Sequence, residues 1–289
     1  MWFKSASVRP QKQGEINFYG GETMRVATFS SLKGGVGKSS LTIQTANCLG
    51  AAGFKVLVID MDLNNSVSSY YLDDETKELI GEKNIAAAMS KSTNDLKDYI
   101  VPTNHKGVQL IASSLYLIDL RSVSERRMAQ LIPTLQNEFD VVIIDTQPTY
   151  DNLVLNAYTA SDLIITPINL SLFDFNTAVF LRDKLATETD KSNCWFLHVN
   201  GYNKRYGDAK AGNQKEYLDL FRTTFDNLTP PESWIPWTNS LRSVIDREME
   251  LAQNPGPNRI SNPTLFNAVQ ELAECLLDDG LSIGSLEAF

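Results

Sequence analysis

The chain has 289 residues, enough for one sizeable hydrophobic core or one core with modest insertions. Its 43% hydrophobic and 21% charged residues fit a globular protein, and no apolar run approaches the roughly 18 residues that cross a bilayer. With 26 Lys+Arg against 35 Asp+Glu the formal charge is −9, which argues against a surface broadly basic for nucleic acid and leaves room for a local basic patch.

Residues 1–24 are polar and mixed and read as an N-terminal extension. They lack the continuous apolar stretch of a secretory signal, so the expected location is the cytoplasm. Residues 25–289 are expected to form a single domain. It begins with a β-branched run at 25–30 (RVATFS), a glycine-rich loop at 33–40 (KGGVGKSS) and a helix that stops near Gly53. Residues 55–60 (KVLVID) form a continuous apolar run ending in acid, as a strand covered on both faces would.

Further strands are expected at 108–113, 140–145, 162–168 and 194–200, mostly separated by helix-length segments such as 115–138. Residues 253–263 (QNPGPNRISNP) are turn-rich, and a last helix is expected over 264–279. This alternation implies right-handed crossovers and a doubly wound α/β fold, a mostly parallel sheet with helices on both faces. In such sheets ligands sit beyond the carboxyl ends of the strands, where Asp60, Asp62, Asp145 and Asn200 all fall.

Cys48, Cys194 and Cys275 are scattered, odd in number and without CxxC spacing, so reduced thiols are expected rather than disulfides or a thiolate metal site. Two histidines, His105 and His198, are too few for a multi-histidine centre. A metal here would be held by oxygen, as magnesium is.

The loop departs from the strict phosphate-loop pattern GxxxxGK[ST], because Leu32 stands where its first glycine belongs, while Gly37, Lys38 and Ser39 fit its end. Its backbone N–H groups can turn toward an anion, and the helix that follows adds its own N-terminal N–H groups. Lys38 is placed to neutralise β- and γ-phosphates, with Ser39 offering its hydroxyl to Mg²⁺.

KGGVGKSS resembles the deviant Walker A loop of the ParA/MinD family of ATPases, in which a second lysine opens the loop; Lys33 occupies that position. The resemblance implies a P-loop NTPase that binds ATP and ADP through Gly34, Gly35, Val36, Gly37, Lys38, Ser39 and Ser40. It also implies a nucleotide sandwich dimer in which Lys33 reaches the partner's nucleotide. The segment VLVIDMDLNNSVS is similar to the family's strand end with two aspartates one residue apart, which would put Asp62 on the attacking water and Asp60 nearer the magnesium shell. The family often continues with Pro-Gln-Gly-Asn, where this chain has Leu63, Asn64, Asn65 and Ser66.

Asp145, ending DVVIID, has the form of a Walker B acid for Mg²⁺, and residues 146–151 read as the second switch segment. ITPINLSLFDFN at 165–176 resembles the family's Pro-containing strand end and following helix. By the same resemblance Asn200 contacts the adenine base, beside the Ile-Pro stretch that includes Pro236.

In the ParA branch the ATP dimer binds DNA non-specifically and a ParB-like partner stimulates hydrolysis, which would place the protein on the nucleoid. The lysines and arginines available for this are Lys204, Arg205, Lys210, Lys215, Arg222, Arg242 and Arg247. The alternative is a MinD-like or cargo-positioning ATPase acting on a protein or membrane target without DNA. The expected last helix carries Glu271, Glu274, Asp278 and Asp279 and no base, which disfavours docking on anionic lipid.

Overall fold

In the computed structural model residues 24–72, 81–91, 93–120, 122–203, 214–237, 263–277 and 283 are described. Strand β1 (Arg25–Phe29) runs into helix α1 (Lys38–Ala51), followed by β2 (Val56–Met61) and α2 (Ser66–Tyr71). Next come α3 (Ile85–Met89), the edge strand β3 (Val101–Pro102), β4 (Val108–Ile111), α4 (Arg127–Leu131) and β5 (Val141–Thr146). The chain continues through α5 (Asn152–Ala160), β6 (Leu163–Ile168), α6 (Leu172–Glu188), β7 (Trp195–Tyr202), α7 (Gln214–Thr224), β8 (Ile235–Pro236) and α8 (Pro263–Glu274).

The strands form one eight-stranded sheet in the order β3-β4-β2-β5-β1-β6-β7-β8. Every neighbouring pair is parallel except β3 with β4. The central strands are apolar on both faces because both faces are covered. Ala27, Phe29, Val56, Val58, Val141 and Ile143 face α1 and α8, whereas Val26, Leu57, Ile59, Val142 and Ile144 face α3, α4 and α5. A third apolar cluster joins β6 and β7 to α6 and α7. With β5, β1 and β2 side by side at the centre, the loops at their carboxyl ends open on the same rim of the sheet.

The helix expected across 115–138 is instead broken. Residues Leu115–Leu120 and Ile132–Leu135 are 3-10 turns flanking the short α4. Pro133 lacks the N–H a continuing helix would use, Asn137 takes a left-handed conformation (φ 68°), and Leu115, Tyr116 and Ile118 point outward, so the segment has no single apolar stripe. The last helix does form, and its apolar side is consumed: Leu265, Phe266, Val269 and Leu272 lie in the core against α1. The turn-rich 253–262, the extension through residue 23, and Lys204, Arg205, Lys210, Arg242 and Arg247 lie outside the described residues.

Cys48 is buried, and Cys194 and Cys275 half-buried, all as free thiols. Among the described residues no helix is long and apolar enough to cross a membrane.

Candidate functional site

The loop between β1 and α1 is fixed from beneath. Ser30 N–H donates to the Ile165 carbonyl (3.0 Å), and its hydroxyl meets that of the buried Tyr158 (2.8 Å). Val36 is fully buried, while Gly34 and Gly35 are exposed and a Cβ added to either would meet nothing within 4 Å. The loop therefore presents an open, backbone-lined cradle above a closed floor. Gly37 caps α1 in a left-handed conformation (φ 99°) and is crossed by Asn200, whose Nδ2 would lie 2.3 Å from a Cβ there. That amide donates to the Val36 carbonyl (2.7 Å), tying the end of β7 to the loop. The left-handed torsion favours glycine at 37, and a Cβ there would also push the Asn200 amide aside.

Lys38, the first residue of α1, is 6% exposed, with Nζ 3.4 Å from the Lys33 carbonyl. Burial lowers its pKa, opposed by the charges of Asp145 and Asp62. Ser39 donates to Asp145 Oδ2 (2.7 Å) and Thr42 to Asp145 Oδ1 (3.3 Å). Asp145 and Asp60 are register partners on β5 and β2, and both are fully buried. Burial pushes both carboxyls up, the charge of Asp60 adding at Asp145 and that of Asp62 at Asp60. Asp145 and Asp62 thus both act on one buried ammonium, and the raised Asp60 and Asp145 carboxyls lie where a bound cation would favour their ionised form.

Asp60 uses both its oxygens locally. Oδ1 accepts Asp62 N–H (3.0 Å), and Oδ2 accepts the N–H (2.8 Å) and hydroxyl (2.7 Å) of Ser68. Asp62 is 6% exposed, its Oδ1 accepting Asn64 N–H (2.9 Å). Asn65 then takes a left-handed conformation (φ 44°) before α2. Asparagine tolerates that region better than most residues, and it stands where the four-residue pattern of the resemblance has glycine, so the loop turns without one. On the far side of β5, Asp151 caps α5 through Leu153 and Val154 N–H (3.1 and 3.2 Å) and accepts Gln147 Nε2 (2.8 Å), which fixes the turn at 146–151.

A family model described as an AAA domain matches residues 24–192. The chain belongs to the ParA-like ATPase family. Among its relatives are an uncharacterized protein, MJECL24, of Methanocaldococcus jannaschii, 28% identical over 89% of this chain and 99% of that one. The sporulation initiation inhibitor protein Soj of Bacillus subtilis is 26% identical over 52% of this chain and 60% of its own length. The structure resembles that of a candidate plasmid partition protein, BB_S35, from Borrelia burgdorferi B31 bound to AMPPNP, with a TM-score of 0.70 and 24% identity over 87% of this chain and 97% of that one.

Lys33 is turned toward its own chain. Its Nζ pairs with Asp174 Oδ2 (2.9 Å) and lies over the Phe173 ring, 5.7 Å from the centroid. Asp174 is 1% exposed and also bonded by the Ser171 hydroxyl at the start of α6. Asn200 and Pro236 are brought onto neighbouring strands, Asn200 pairing with Ile235 and Tyr202 with Pro236. Of the basic residues expected on DNA, Lys215 and Arg222 are exposed two turns apart on one face of α7, and Arg222 stacks over Trp234 (5.5 Å).

Sequence reasoning passed over Thr42, Ser68, Ser113 and Asp174, all of which hold a site residue. Thr42 has helical i+3 spacing from Ser39, and Asp174 sits three residues after Ser171 in a capping arrangement, so both carried a readable signal. Ser68 and Ser113 carried none.

Proposed function

We propose that this chain is a ParA-type partition ATPase, which binds ATP in the cradle of residues 33–40, dimerises across that nucleotide and hydrolyses it. The observation that carries this reading is the convergence of Lys38, Ser39, Asp145 and Asp62 at the open end of β1, β2 and β5. Lys38 neutralises the β- and γ-phosphates, and the N-terminal N–H groups of α1 receive the same anion. Asp62 orients the attacking water, which is most of what phosphoryl transfer asks of a side chain.

Mg²⁺ fits the cluster of buried carboxyls, and when bound it would neutralise charge developing on the phosphate oxygens. Among the described residues no group of three or more His, Cys, Asp or Glu side chains is arranged to hold a metal unaided. The ion would therefore rest on Ser39 and Asp145 together with the nucleotide. Asp60 lies in the same cluster, and its donors give it the task of holding the Asp62 loop.

Lys33 acts in trans once it leaves Asp174, delivering positive charge to the partner's nucleotide. Asn200 and Pro236 lie beside the adenine. Non-specific DNA is the surface on which the dimer acts, with Lys215 and Arg222 contributing phosphate contacts, and a ParB-like protein stimulates turnover; such a protein would sit on the nucleoid. Family membership and the partition-protein likeness support this assignment.

A second reading, an ATPase that positions a protein cargo without DNA, is favoured by the net charge of −9. A membrane target is disfavoured because the apolar side of α8 is spent on the core. ATP turnover measured with and without generic double-stranded DNA, across a salt series, separates the two. Binding that requires ATP and weakens with salt supports partition; no binding and no change in rate overturns it in favour of protein cargo.

A further inference from the structure

Ser113 lies just beyond β4, 4% exposed, and closes a ring of hydrogen bonds that runs through both aspartates of β2. Its N–H donates to Ser68 Oγ (2.8 Å), Ser68 Oγ donates to Asp60 Oδ2 (2.7 Å), and Asp60 Oδ1 accepts Asp62 N–H (3.0 Å). The Ser113 hydroxyl completes the circuit by donating to the Asp62 carbonyl (2.7 Å). Three separate stretches of chain, the end of β2, the start of α2 and the segment after β4, are thereby joined at Asp62. Both backbone groups of that residue are held, its N–H by Asp60 and its carbonyl by Ser113, with Asn65 N–H sharing the carbonyl (2.9 Å). With Asn64 on Oδ1, the carboxylate direction is set by the backbone that this ring fixes.

A short loop that carries a water-orienting acid has little else to keep it from shifting, because Asn64 and Asn65 are exposed and Leu63 is only partly buried. A displacement of about 1 Å in such a group costs up to roughly 10²-fold in rate without weakening substrate binding to match. We infer that Ser113 is a positioning residue for hydrolysis, acting through the Asp62 backbone and, with Ser68 and Asp60, keeping the Asp62 carboxylate aimed at the nucleophile. The inference rests on the proposed role of Asp62. It assigns to the β4 side of the sheet a part in turnover that neither the phosphate loop nor the segment 146–151 supplies.

The test is steady-state ATP turnover and ATP affinity of the full chain with Mg²⁺ for Ser113→Ala, Ser113→Thr and Ser68→Ala. Ser113→Ala should lower kcat about tenfold while KM and the ATP dissociation constant stay within about twofold, since the loop moves and the cradle does not. Ser113→Thr keeps the hydroxyl and should recover most of the rate. Ser68→Ala, which opens the ring at its other end, should reproduce the kcat-only loss, and it carries the test if Ser113→Ala does not fold. Wild-type kcat in Ser113→Ala, or an equal loss in Ser113→Thr, overturns the inference. If wild-type turnover depends on Asp62 but not on Ser113, the positioning role alone falls; if wild type does not turn over ATP, the proposed function falls first.

Discussion

The two flanks of the phosphate loop are built in opposite ways. On the β2–β4 flank, Asp60, Asp62, Ser68 and Ser113 form a closed, buried ring in which neutral donors satisfy buried carboxylates. On the β6 flank, Lys33 is held by one ion pair to Asp174 with its own side chain 28% exposed. The first arrangement resists rearrangement because opening it strands buried polar groups, each costing about 1–3 kcal/mol. The Lys33 end of that pair is partly solvated, and the Ser171 hydroxyl stays on Asp174 when the lysine leaves, so this pair is the more readily exchanged of the two arrangements. On the proposed function, the difference separates a part made to stay still, where water is aimed, from a part made to move, where a lysine changes its allegiance from its own chain to a second copy.

The contrast can be broken at graded cost. Lys38→Ala removes the buried charge common to both flanks and should weaken ATP binding by about 10²-fold or more, measured by calorimetric titration with Mg²⁺ present. Retention within threefold would detach Lys38 from the phosphates. Asp62→Ala should leave ATP binding within about threefold while turnover drops about 10²-fold, read in a phosphate-release assay.

Acid should loosen the β7 side, where burial pushes the His198 imidazole down to about 3 against about 6.5 in an unfolded chain. Below pH 6.5 the unfolded chain takes up a proton that the folded one refuses, so stability present above that pH is lost as pH falls toward 3, at about 1.4 kcal/mol per pH unit. His105, also lowered by burial, adds in the same direction. Because the raised Asp60 and Asp145 carboxyls act in the opposite sense in both proteins, the expected result is a difference: between pH 7 and pH 5 the thermal midpoint of wild type falls relative to that of His198→Gln, and parallel midpoints would remove His198 from the account. The smallest effect is expected from Asp174→Asn. Freeing Lys33 should reduce the ATP concentration for half-maximal dimerisation by about threefold, seen by sedimentation, whereas an unchanged or higher value would show that the pair does not oppose dimerisation.

Much of the fold was legible because its central strands are long Val- and Ile-rich runs ended by acids or glycine, a pattern that a two-sided parallel sheet imposes directly. The edge strands β3 and β8, two residues each, carry no such pattern and exist only through pairing with β4 and β7. The segment 115–138 misled because its length suited a helix while Pro133 and its outward Leu115, Tyr116 and Ile118 did not. In the site, Lys38, Ser39 and Asp145 could be found from spacing, since the loop and strand end dictate their neighbours. Ser113 could not, because its partner lies 51 residues away and a lone serine announces no role, and the capping spacing of Asp174 pointed to Ser171 but not to Lys33, 141 residues away.

The central claim, that each nucleotide is completed by Lys33 of a second copy, is tested most directly by mixing two damaged proteins. Lys33→Ala and Asp62→Ala should each turn over ATP poorly alone. In an equal mixture with Mg²⁺, half of the dimers are hybrid, and in each one site keeps Asp62 and receives Lys33 from the other chain, so about a quarter of wild-type turnover should return. Turnover that stays at the sum of the two separate variants would contradict the account and leave Lys33 serving its own chain.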